Sequence, residues 1–511
     1  MNQDALHHVY VLGDQLSLRV GPLSRLNPFE TVVLMVESLE RGRSVPFHKQ
    51  KLGLVYSAMR HFKLELEAAG FRVNYQSCAK WIEGVQAHLE QYPGAKLLLM
   101  QPTDYGVDAV LKTMIETHGG MLEVVPNELW ISSENDFDSF AKGKKSLRME
   151  FFYRKQREKT GWLMDDTGPV GGAWNYDADN REVPPTGHRF PEKLEFKHDS
   201  LTLETLAWVG ENFPNNFGNL EQFNWPVTRD QALMALEHFL RHRFANFGPF
   251  EDAMVEGENQ LYHSFISPAL NIGLLTAREV CEHALEFAAN PNNQIPLSSI
   301  EGFIRQILGW REFMRHVYRT KMPAFRNENR LGHTAKLPDF YWTGKTNMNC
   351  VSSCVNQVIS TGHSHHIQRL MVLGNFALIA GVRPQEINDW FLFAYVDAFD
   401  WVVSPNVLGM SQYADLGSFT SKPYASGGAY ISRMSNHCAA CKFNPKKSIG
   451  DDACPFSSLY WDFLDRHAAT FAKNQRMGMI LAGWKKRSLE DKRAILERAS
   501  EVKRLLENGT L

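Results

Sequence analysis

Short apolar runs alternate with longer amphipathic segments over the first 125 residues. The apolar runs are typical of strands and cover residues 8–12, 31–37, 71–75, 96–100 and 121–125. Apolar side chains recur at helical spacing between them, over residues 49–69, 80–91 and 105–118. Strands that alternate regularly with helices predict a parallel, doubly wound sheet.

The carboxyl ends of these predicted strands carry polar side chains. Asp14 and Gln15 follow the first strand, and Glu37 and Ser38 end the second. Ligands of doubly wound sheets bind outside the carboxyl ends of the strands. No G-x-G-x-x-G run follows the first strand, so the usual dinucleotide fingerprint is absent.

The rest of the chain has a different pattern. Residues 130–210 show few clear periods and many Gly, Pro, Asp and Asn residues, whereas from about 210 onward the apolar spacing is helical. The predicted helices cover residues 229–245, 276–289, 299–318, 353–360, 365–380, 385–398 and 487–507. We therefore predict an α/β domain (1–130), a connector (131–210) and a large all-α domain (211–511).

Composition excludes several classes of protein. A chain of 511 residues with net charge -2 and 44% apolar residues is typical of a soluble protein of two or three domains. It has no apolar run long enough to span a membrane and no signal-peptide pattern at its N-terminus. The 7 cysteines, an odd number, favour a reducing cytoplasm over a disulfide framework.

A basic segment stands out against this near-neutral background. Residues 142–159 contain eight Lys or Arg and two Glu, with Phe151, Phe152 and Tyr153 among them. Such a mixture suits phosphate contacts with nearby rings for base stacking. The alternative is a solvated, charged helix face, and the segment alone does not decide between them.

Four cysteines form the most specific chemical pattern. Cys438, Cys441 and Cys454 lie close together in the chain, Pro455 follows the third, and Cys350 lies upstream. Four thiolates so arranged suit an iron–sulfur cluster or a tetrahedral zinc ion. Scattered small hydrophobic residues would explain Cys78 and Cys281 but not three cysteines within seventeen residues.

Several local motifs in the predicted helical domain resemble those of the photolyase/cryptochrome superfamily. They are Trp310-Arg311-Glu312-Phe313 and His365-His366-x-x-Arg369. The four cysteines, with residues 143–154 and 174–181, resemble the bacterial iron–sulfur branch, the deoxyribodipyrimidine photolyase-related proteins. This resemblance covers nearly the whole chain and implies an antenna domain, a connector and a helical FAD domain.

The resemblance implies an FAD site in the helical domain. The implied FAD residues are His263, Ser264, Ser267, Gln306, Trp310, Arg311, Arg369, Asn375, Asp397 and Val403. Among them Arg369 and Asp397 match an ion pair beside the flavin ring. Val403 falls near the place where the superfamily usually has an Asn, so control of the flavin radical by that side chain is in doubt.

The implied activity is light-driven repair of (6-4) photoproducts in UV-damaged DNA. His366 would lie between flavin and lesion and donate a proton, with His365 as its neighbour. Leu370 replaces the second His of the common (6-4) pattern. Tyr424 and Tyr430 would line the lesion pocket, and Trp342 and Trp390 would relay electrons to FAD.

Further partners follow from the same resemblance. The branch's antenna, 6,7-dimethyl-8-ribityllumazine, would bind near Asp14, Gln15, Glu37 and Ser38, and the cysteines Cys350, Cys438, Cys441 and Cys454 would hold a [4Fe-4S] cluster. DNA contacts are expected at Lys144, Lys145, Arg148, Arg154 and Arg181. Asp177 and Asp179 could recruit Mg²⁺ to a phosphate or simply cap their loop. We expect a monomer.

Three other functions remain open at this point. One is a cryptochrome-type blue-light photoreceptor, which would bind FAD and signal through a protein partner. Another is repair of cyclobutane dimers, and the third is a nucleic-acid-binding iron–sulfur protein without flavin. His366, Tyr424, Tyr430 and the basic segment favour repair over the photoreceptor. The His365–His366 pair and the resemblance to the branch favour (6-4) lesions over cyclobutane dimers. The third alternative predicts that the protein binds no flavin.

Overall fold

A five-stranded parallel sheet forms the N-terminal part of the protein. The computed structural model describes residues 6–185 and 187–511. The strands are β1 (His7–Val11), β2 (Thr31–Ser38), β3 (Arg72–Cys78), β4 (Lys96–Met100) and β5 (Met121–Val125). Their order is β3-β2-β1-β4-β5, with parallel pairing throughout. The predicted doubly wound fold is confirmed, and its direction of winding reverses between β1 and β4.

Helices cover both faces of this sheet. Helices Trp81–Gln91 and Val107–Thr117 pack on one face. Helix Lys49–Ala68 covers the other face and ends before Gly70, whose φ of 94° lies in the left-handed region. The core beneath this helix continues without a break into the C-terminal helical region, so sheet and helical region share one set of buried side chains.

The connector contains more regular structure than its sequence pattern indicates. It forms helices Glu134–Ala141, Met149–Thr160 and Ser200–Asn212, with a short hairpin of Met164–Asp165 and Gly168–Pro169. Helix Met149–Thr160 buries Gln156 and Arg157 together with Phe152 and Tyr153. Polar residues on the buried face interrupt the apolar period, which is why the pattern did not predict this helix.

The C-terminal region is helical, as predicted. Its longer helices are Arg229–His242, Ala277–Ala289, Leu297–Ile304, Glu312–Lys321, Asn349–Thr361, Pro384–Ala394, Pro455–Arg466, Gly478–Lys485 and Leu489–Glu507. Shorter ones are Phe244–Phe247, Ser267–Asn271, Phe340–Thr343, Asn375–Ala380, Asp400–Ser404, Gly428–Met434 and Ala468–Phe471. No helix among the described residues is long and apolar enough to cross a membrane.

Three stretches of this region wind more widely than an α-helix. They are the π-helical segments Arg305–Arg311, Gln368–Gly374 and Pro405–Ser411. Such segments are rare and often mark functional sites. All three border the same large cavity, which directs attention to that cavity.

Hydrogen bonds at the start of helix Lys49–Ala68 join the two main regions. The His48 backbone N–H donates to the Phe393 carbonyl at 2.7 Å, and its ring Nε2 donates to the Val358 carbonyl at 3.0 Å. Gln50 Nε2 donates to the Ser360 carbonyl at 2.7 Å. These bonds fix the sheet against the loops that form one wall of the cavity.

Candidate functional site

A cavity of about 1240 Å³ opens in the helical region. Its walls bring together most of the side chains that the sequence predicted for FAD and lesion. The predicted residues in its lining are His263, Ser264, Ser267, Gln306, Trp310, Arg311, His365, His366, Arg369, Asp397, Val403, Tyr424 and Tyr430. Residues more than 150 positions apart in the chain therefore share one site.

Arg369 and Asp397 form a two-bonded ion pair in the cavity wall. The guanidinium nitrogens NH1 and NH2 donate to the two carboxylate oxygens at 3.0 and 3.1 Å. Ser267 Oγ also donates to Asp397, at 2.8 Å, and Arg369 Nε donates to the Ser364 carbonyl at 2.7 Å. Burial would raise the pKa of Asp397, but Arg369, His363 and the Ser267 hydroxyl outweigh it and hold that pKa below its usual value.

Histidines cluster beside this ion pair. His366 is exposed to the cavity, whereas His365 is buried and stacks on His263 with ring centroids 4.8 Å apart. Burial, followed by Arg369, lowers the pKa of His366. Neither ring nitrogen of His365 has a hydrogen-bond partner among the described residues. His366 therefore faces the cavity as a neutral imidazole, and His365 supports the wall behind it.

Arg311 adds a buried positive charge to the cavity wall. Its guanidinium lies 3.9 Å from the Trp130 ring centroid and 5.2 Å from that of Trp401. Burial lowers its pKa to about 10. Its Nε lacks a hydrogen-bond acceptor within the described part of the chain, so Arg311 can offer a donor to a ligand.

Two predicted FAD residues have different surroundings from those expected. The Ser267 hydroxyl is used on Asp397 rather than left free for a phosphate. Asn375 is not in the cavity lining, because its side chain bonds Ser426, with Nδ2 2.9 Å from the Ser426 carbonyl and Oδ1 3.1 Å from the Ser426 amide. It fixes the loop that carries Tyr424.

Asn406, which the sequence did not indicate, lies in the wall near Val403. Its Nδ2 donates to the Val402 carbonyl at 2.8 Å. Counting residues from Asp397 led to Val403, which also lines the cavity. Asn406 follows three positions later, near the start of the π-helical segment Pro405–Ser411, so an asparagine is present in this wall about one helical turn beyond the predicted position.

Two acidic residues in the cavity were also missed. Gln306 Nε2 donates to Glu251 Oε1 at 2.7 Å, and Asp252 is adjacent. Burial raises the pKa of Glu251 to about 7, and burial with Asp177 raises that of Asp252 to about 6. No motif marks Glu251, which is 55 residues from Gln306 in the chain.

The rim of the cavity is aromatic and basic. Tyr424 and Tyr430 lie there, with Arg148 and Arg181 from the connector. The rim also has basic residues that the sequence analysis did not select, namely Lys422, Arg433 and Arg476. Burial and Arg476 lower the pKa of Arg148, which indicates that positive charges are concentrated at this edge.

The remaining basic residues of the connector do not line the cavity. Lys144 folds back onto the Phe140 carbonyl and ring, and Arg154 pairs with Glu150 at 2.9 Å. Arg157 is buried and donates to the carbonyls of Trp162, Leu163 and Trp174. Only part of the basic segment thus faces a ligand, and Lys145 is exposed outside the cavity lining.

An aromatic chain leads away from the cavity. Phe391 lines the cavity and contacts buried Trp390, with ring centroids 5.2 Å apart. Trp390 in turn meets Tyr341 at 5.1 Å and donates Nε1–H to the Tyr341 carbonyl at 2.9 Å. The next residue, Trp342, is 38% exposed, so aromatic rings connect the cavity to the surface.

The four predicted cysteine ligands meet in a second, smaller pocket. Cys350, Cys438, Cys441 and Cys454 line it together with Gly428. Burial and the other thiols raise the pKa of Cys350, and burial raises that of Cys454 to about 12. Cys354 lies outside this lining, with its thiol beside Gln368. The sequence thus selected the four cysteines that the fold brings together.

No three His, Cys, Asp or Glu side chains in residues 6–185 and 187–511 are arranged to hold a single metal ion. The four cysteines of the smaller pocket are included in this statement: they line a common pocket, but their thiols are not arranged around a single ion. It applies equally to Asp177, which pairs with Arg181 and with Arg305 at 3.4 Å. Asp179 is exposed beside it.

The predicted antenna residues are mostly engaged within the N-terminal domain. Glu37 is bonded by Arg60 at 2.9 and 2.7 Å and by Tyr75, while Gln15 donates to the Met100 carbonyl at 2.8 Å. Ser38 caps a short helix by accepting from the Arg41 amide at 3.3 Å. The side chain of Asp14 has no such partner in the part of the chain that the structure describes, and burial with Asp104 raises its pKa to about 7.

Comparison with known proteins agrees with this arrangement. Residues 9–225 match the family described as deoxyribodipyrimidine photo-lyase-related protein. A (6-4) photolyase of Agrobacterium fabrum is 39% identical over 505 residues, which cover 98% of this chain and 99% of that protein.

Two solved structures share the fold. A bacterial class III photolyase from Agrobacterium tumefaciens superposes with a TM-score of 0.53 at 15% identity, over 80% of this chain and 79% of its own. A Synechocystis cryptochrome superposes with a TM-score of 0.57 at 15% identity, over 84% of this chain and 88% of its own. Since the similarity to the Agrobacterium fabrum protein extends over the full chain, this protein belongs to the photolyase/cryptochrome superfamily, in the branch of the deoxyribodipyrimidine photolyase-related proteins.

Proposed function

We propose that this protein is a light-driven DNA repair enzyme that reverses (6-4) photoproducts. One observation carries the proposal. A single cavity combines a histidine, His366, with the Arg369–Asp397 pair and a basic, aromatic rim. The 39% identity to a (6-4) photolyase over the whole chain supports the same activity.

FAD fits the deeper part of this cavity. Buried polar atoms without partners, among them Arg311 Nε and His263 Nε2, would otherwise leave hydrogen bonds unmade. Arg369 and Asp397 would hold the flavin ring, Arg311 would donate to the cofactor, and Ser264 would lie near its phosphates. When bound and fully reduced, FAD supplies an electron to the lesion on excitation by blue light.

The chain's own residues would bind and protonate the lesion. A flipped-out pair of bases would enter between Tyr424 and Tyr430, and Arg148, Arg181 and Arg476 would contact the neighbouring phosphates. His366 would hold the proton for the group that moves between the two rings. The protein alone keeps its pKa low, so that proton depends on the negative charge of the bound substrate.

The electron path and the second cofactor follow from the same assignment. Trp342 and Trp390 would relay electrons from the surface to FAD before repair, with Tyr341 and Phe391 in contact with the Trp390 ring. The four cysteines suit a [4Fe-4S] cluster, whose thiolates stand farther apart than those around a single zinc ion. The cluster would tie the C-terminal helices to helix Asn349–Thr361.

The antenna would bind in the N-terminal domain. A ribityllumazine near Asp14 would use the polar edge where the winding reverses between β1 and β4. Glu37 could bind it only by giving up its bonds from Arg60 and Tyr75. The monomeric state, the cytoplasmic location and a divalent cation at Asp177 remain predictions.

A repair assay tests the proposal. The photoreduced protein is illuminated with an oligonucleotide that carries one (6-4) photoproduct, with a cyclobutane dimer as control. We expect repair of the (6-4) lesion alone and a large loss in His366→Asn. Repair of only the cyclobutane dimer would overturn the lesion assignment, and flavin photoreduction without repair of either lesion would favour a photoreceptor.

A further inference from the structure

The amide of Gln306 has both of its hydrogens occupied. Nε2 donates to Glu251 Oε1 at 2.7 Å and to the Gly302 carbonyl at 3.2 Å. A side-chain amide has two N–H groups and one carbonyl oxygen. Only the carbonyl oxygen of Gln306 therefore remains for a ligand in the cavity that this side chain lines.

The orientation of this amide is determined by its neighbours. Turning it over would place its oxygen against the Gly302 carbonyl, which has no hydrogen to donate, and against the Glu251 carboxyl, which above its pKa of about 7 is ionised and likewise only accepts. Glu251 is itself held in place, because Asn180 Nδ2 donates to its Oε2 at 3.0 Å. The side chain of Asn180 comes from the connector, so this arrangement joins the connector to helix Leu297–Ile304 and the segment after it.

We propose that Glu251 is a positioning residue that presents the carbonyl of Gln306 to the lesion, so that the pocket selects a damaged ring whose edge offers an N–H. The inference rests on the proposed function and adds a determinant of substrate specificity to it. In a thymine (6-4) product the 5′ ring keeps its N3–H, whereas N3 of the 3′ pyrimidone carries no hydrogen. Gln306 would thus recognise the 5′ ring and fix the direction in which the lesion enters.

Binding in the dark tests this without electron transfer. Fluorescence anisotropy measures the affinity of the whole protein for two duplexes, one with a thymine (6-4) product and one whose 5′ ring is methylated at N3. We expect methylation to weaken binding by the wild type at least about tenfold, since the acceptor loses its donor. We call the dissociation constant for the methylated duplex divided by that for the unmethylated duplex the methylation ratio. Gln306→Ala should reduce the methylation ratio to about one.

Two substitutions of Glu251 separate its positioning role from its charge. In Glu251→Leu the Gln306 amide is free to turn, and the methylation ratio should fall at least threefold. Glu251→Gln should retain the ratio, because its oxygen can accept from Gln306 while its NH₂ donates to Asn180 Oδ1, which has no partner among the described residues. Thermal unfolding shows whether each variant is folded.

The results distinguish failure of the positioning role of Glu251 from failure of the proposed repair function. A methylation ratio in Glu251→Leu equal to that of the wild type, or equal binding of both duplexes by the wild type, would overturn the role of Glu251. Either result would leave the proposed repair activity unaffected. A protein that binds neither lesion better than undamaged DNA would overturn both. If Glu251→Leu does not fold, a wild-type ratio in Gln306→Ala would still overturn the inference.

Discussion

Ser132 of the connector donates two hydrogen bonds to Glu312 of the helical region, from its backbone N at 2.8 Å and its hydroxyl at 2.6 Å. Ile131 N donates a third at 3.2 Å, and His316 Nε2 bonds the Ser132 hydroxyl at 2.9 Å. Glu312 is fully buried. The Glu of the Trp310–Phe313 motif therefore has a structural role, which is to hold the start of the connector against the helical region.

Glu312→Ala should destabilise the protein by about 3 kcal/mol, because it leaves several buried donors without an acceptor. Urea unfolding followed by tryptophan fluorescence measures the change. Glu158→Ala is the matched control: Glu158 is exposed in the connector, and its loss should cost less than about 0.5 kcal/mol. Equal effects of the two substitutions would contradict the role of Glu312.

The stability contributed by the Arg369–Asp397 pair should depend on pH. The pKa of Asp397 is lower in the folded protein than its usual value. The contribution is therefore fully present above the unfolded pKa of about 3.9 and is lost as pH falls through the folded pKa.

We expect Asp397→Asn to lower the free energy of unfolding by about 3 kcal/mol near neutral pH, since Arg369 loses its partner. The difference in free energy of unfolding between Asp397→Asn and the wild type should shrink below about pH 4. Urea unfolding at a series of pH values measures it, with exposed Asp179→Asn as control. A difference that stays constant down to about pH 3 would argue against the ion pair as its source.

The sequence predicted the sheet more completely than the site. Strands 96–100 and 121–125 match the structure residue for residue, although the second contains Glu123 and is mostly exposed as the edge strand β5. The four cysteines of the smaller pocket could be selected because they are rare residues at short spacing. Glu251 and Asn406 could not, since the first reaches Gln306 only through tertiary folding and no motif marks the second.

His366 should give the repair reaction a distinctive pH profile. Burial and Arg369 lower the pKa of His366 to about 4 in the free protein, and the negative charge of the bound substrate would raise it again. We expect the repair yield per absorbed photon to fall steadily as pH rises from about pH 5 to pH 8, because the protonated fraction of His366 in the complex decreases over this range.

His366→Asn should lower the yield by roughly 10²-fold or more and remove this pH dependence. Single-turnover illumination with a defined (6-4) oligonucleotide measures it, and flavin photoreduction in the same samples is the control. A pH profile that persists in His366→Asn would assign the proton to another group.

Trp390 should be needed for reduction of FAD by external donors. It is fully buried and contacts Phe391 in the cavity wall and Tyr341 behind it. Trp390→Phe should slow the light-driven loss of oxidised-flavin absorbance at least about tenfold, since phenylalanine is much harder to oxidise than tryptophan. Trp461→Phe, a substitution in the Trp461–Trp484 pair, should leave the rate unchanged, and a normal rate in Trp390→Phe would exclude this route.

Two adjacent glycines offer a test of the cysteine pocket. A Cβ at Gly428 would lie 2.8 Å from Cys454 Sγ, whereas at Gly427 the nearest atom would be 3.5 Å away. Neither glycine has a positive φ, so alanine strains the backbone at neither position. Gly428→Ala must therefore displace the Cys454 thiol, while Gly427→Ala makes an ordinary contact.

We expect Gly428→Ala to contain less than about half the iron and acid-labile sulfide of wild type, and Gly427→Ala to contain the full amount. Chemical analysis and the visible absorption of the cluster measure both, and the zinc content is determined in the same samples. Full iron in Gly428→Ala would show that the thiol at Cys454 is not a ligand. Zinc without sulfide in the wild type would replace the cluster by a single ion, because a zinc site holds four thiolates around one metal and requires no sulfide.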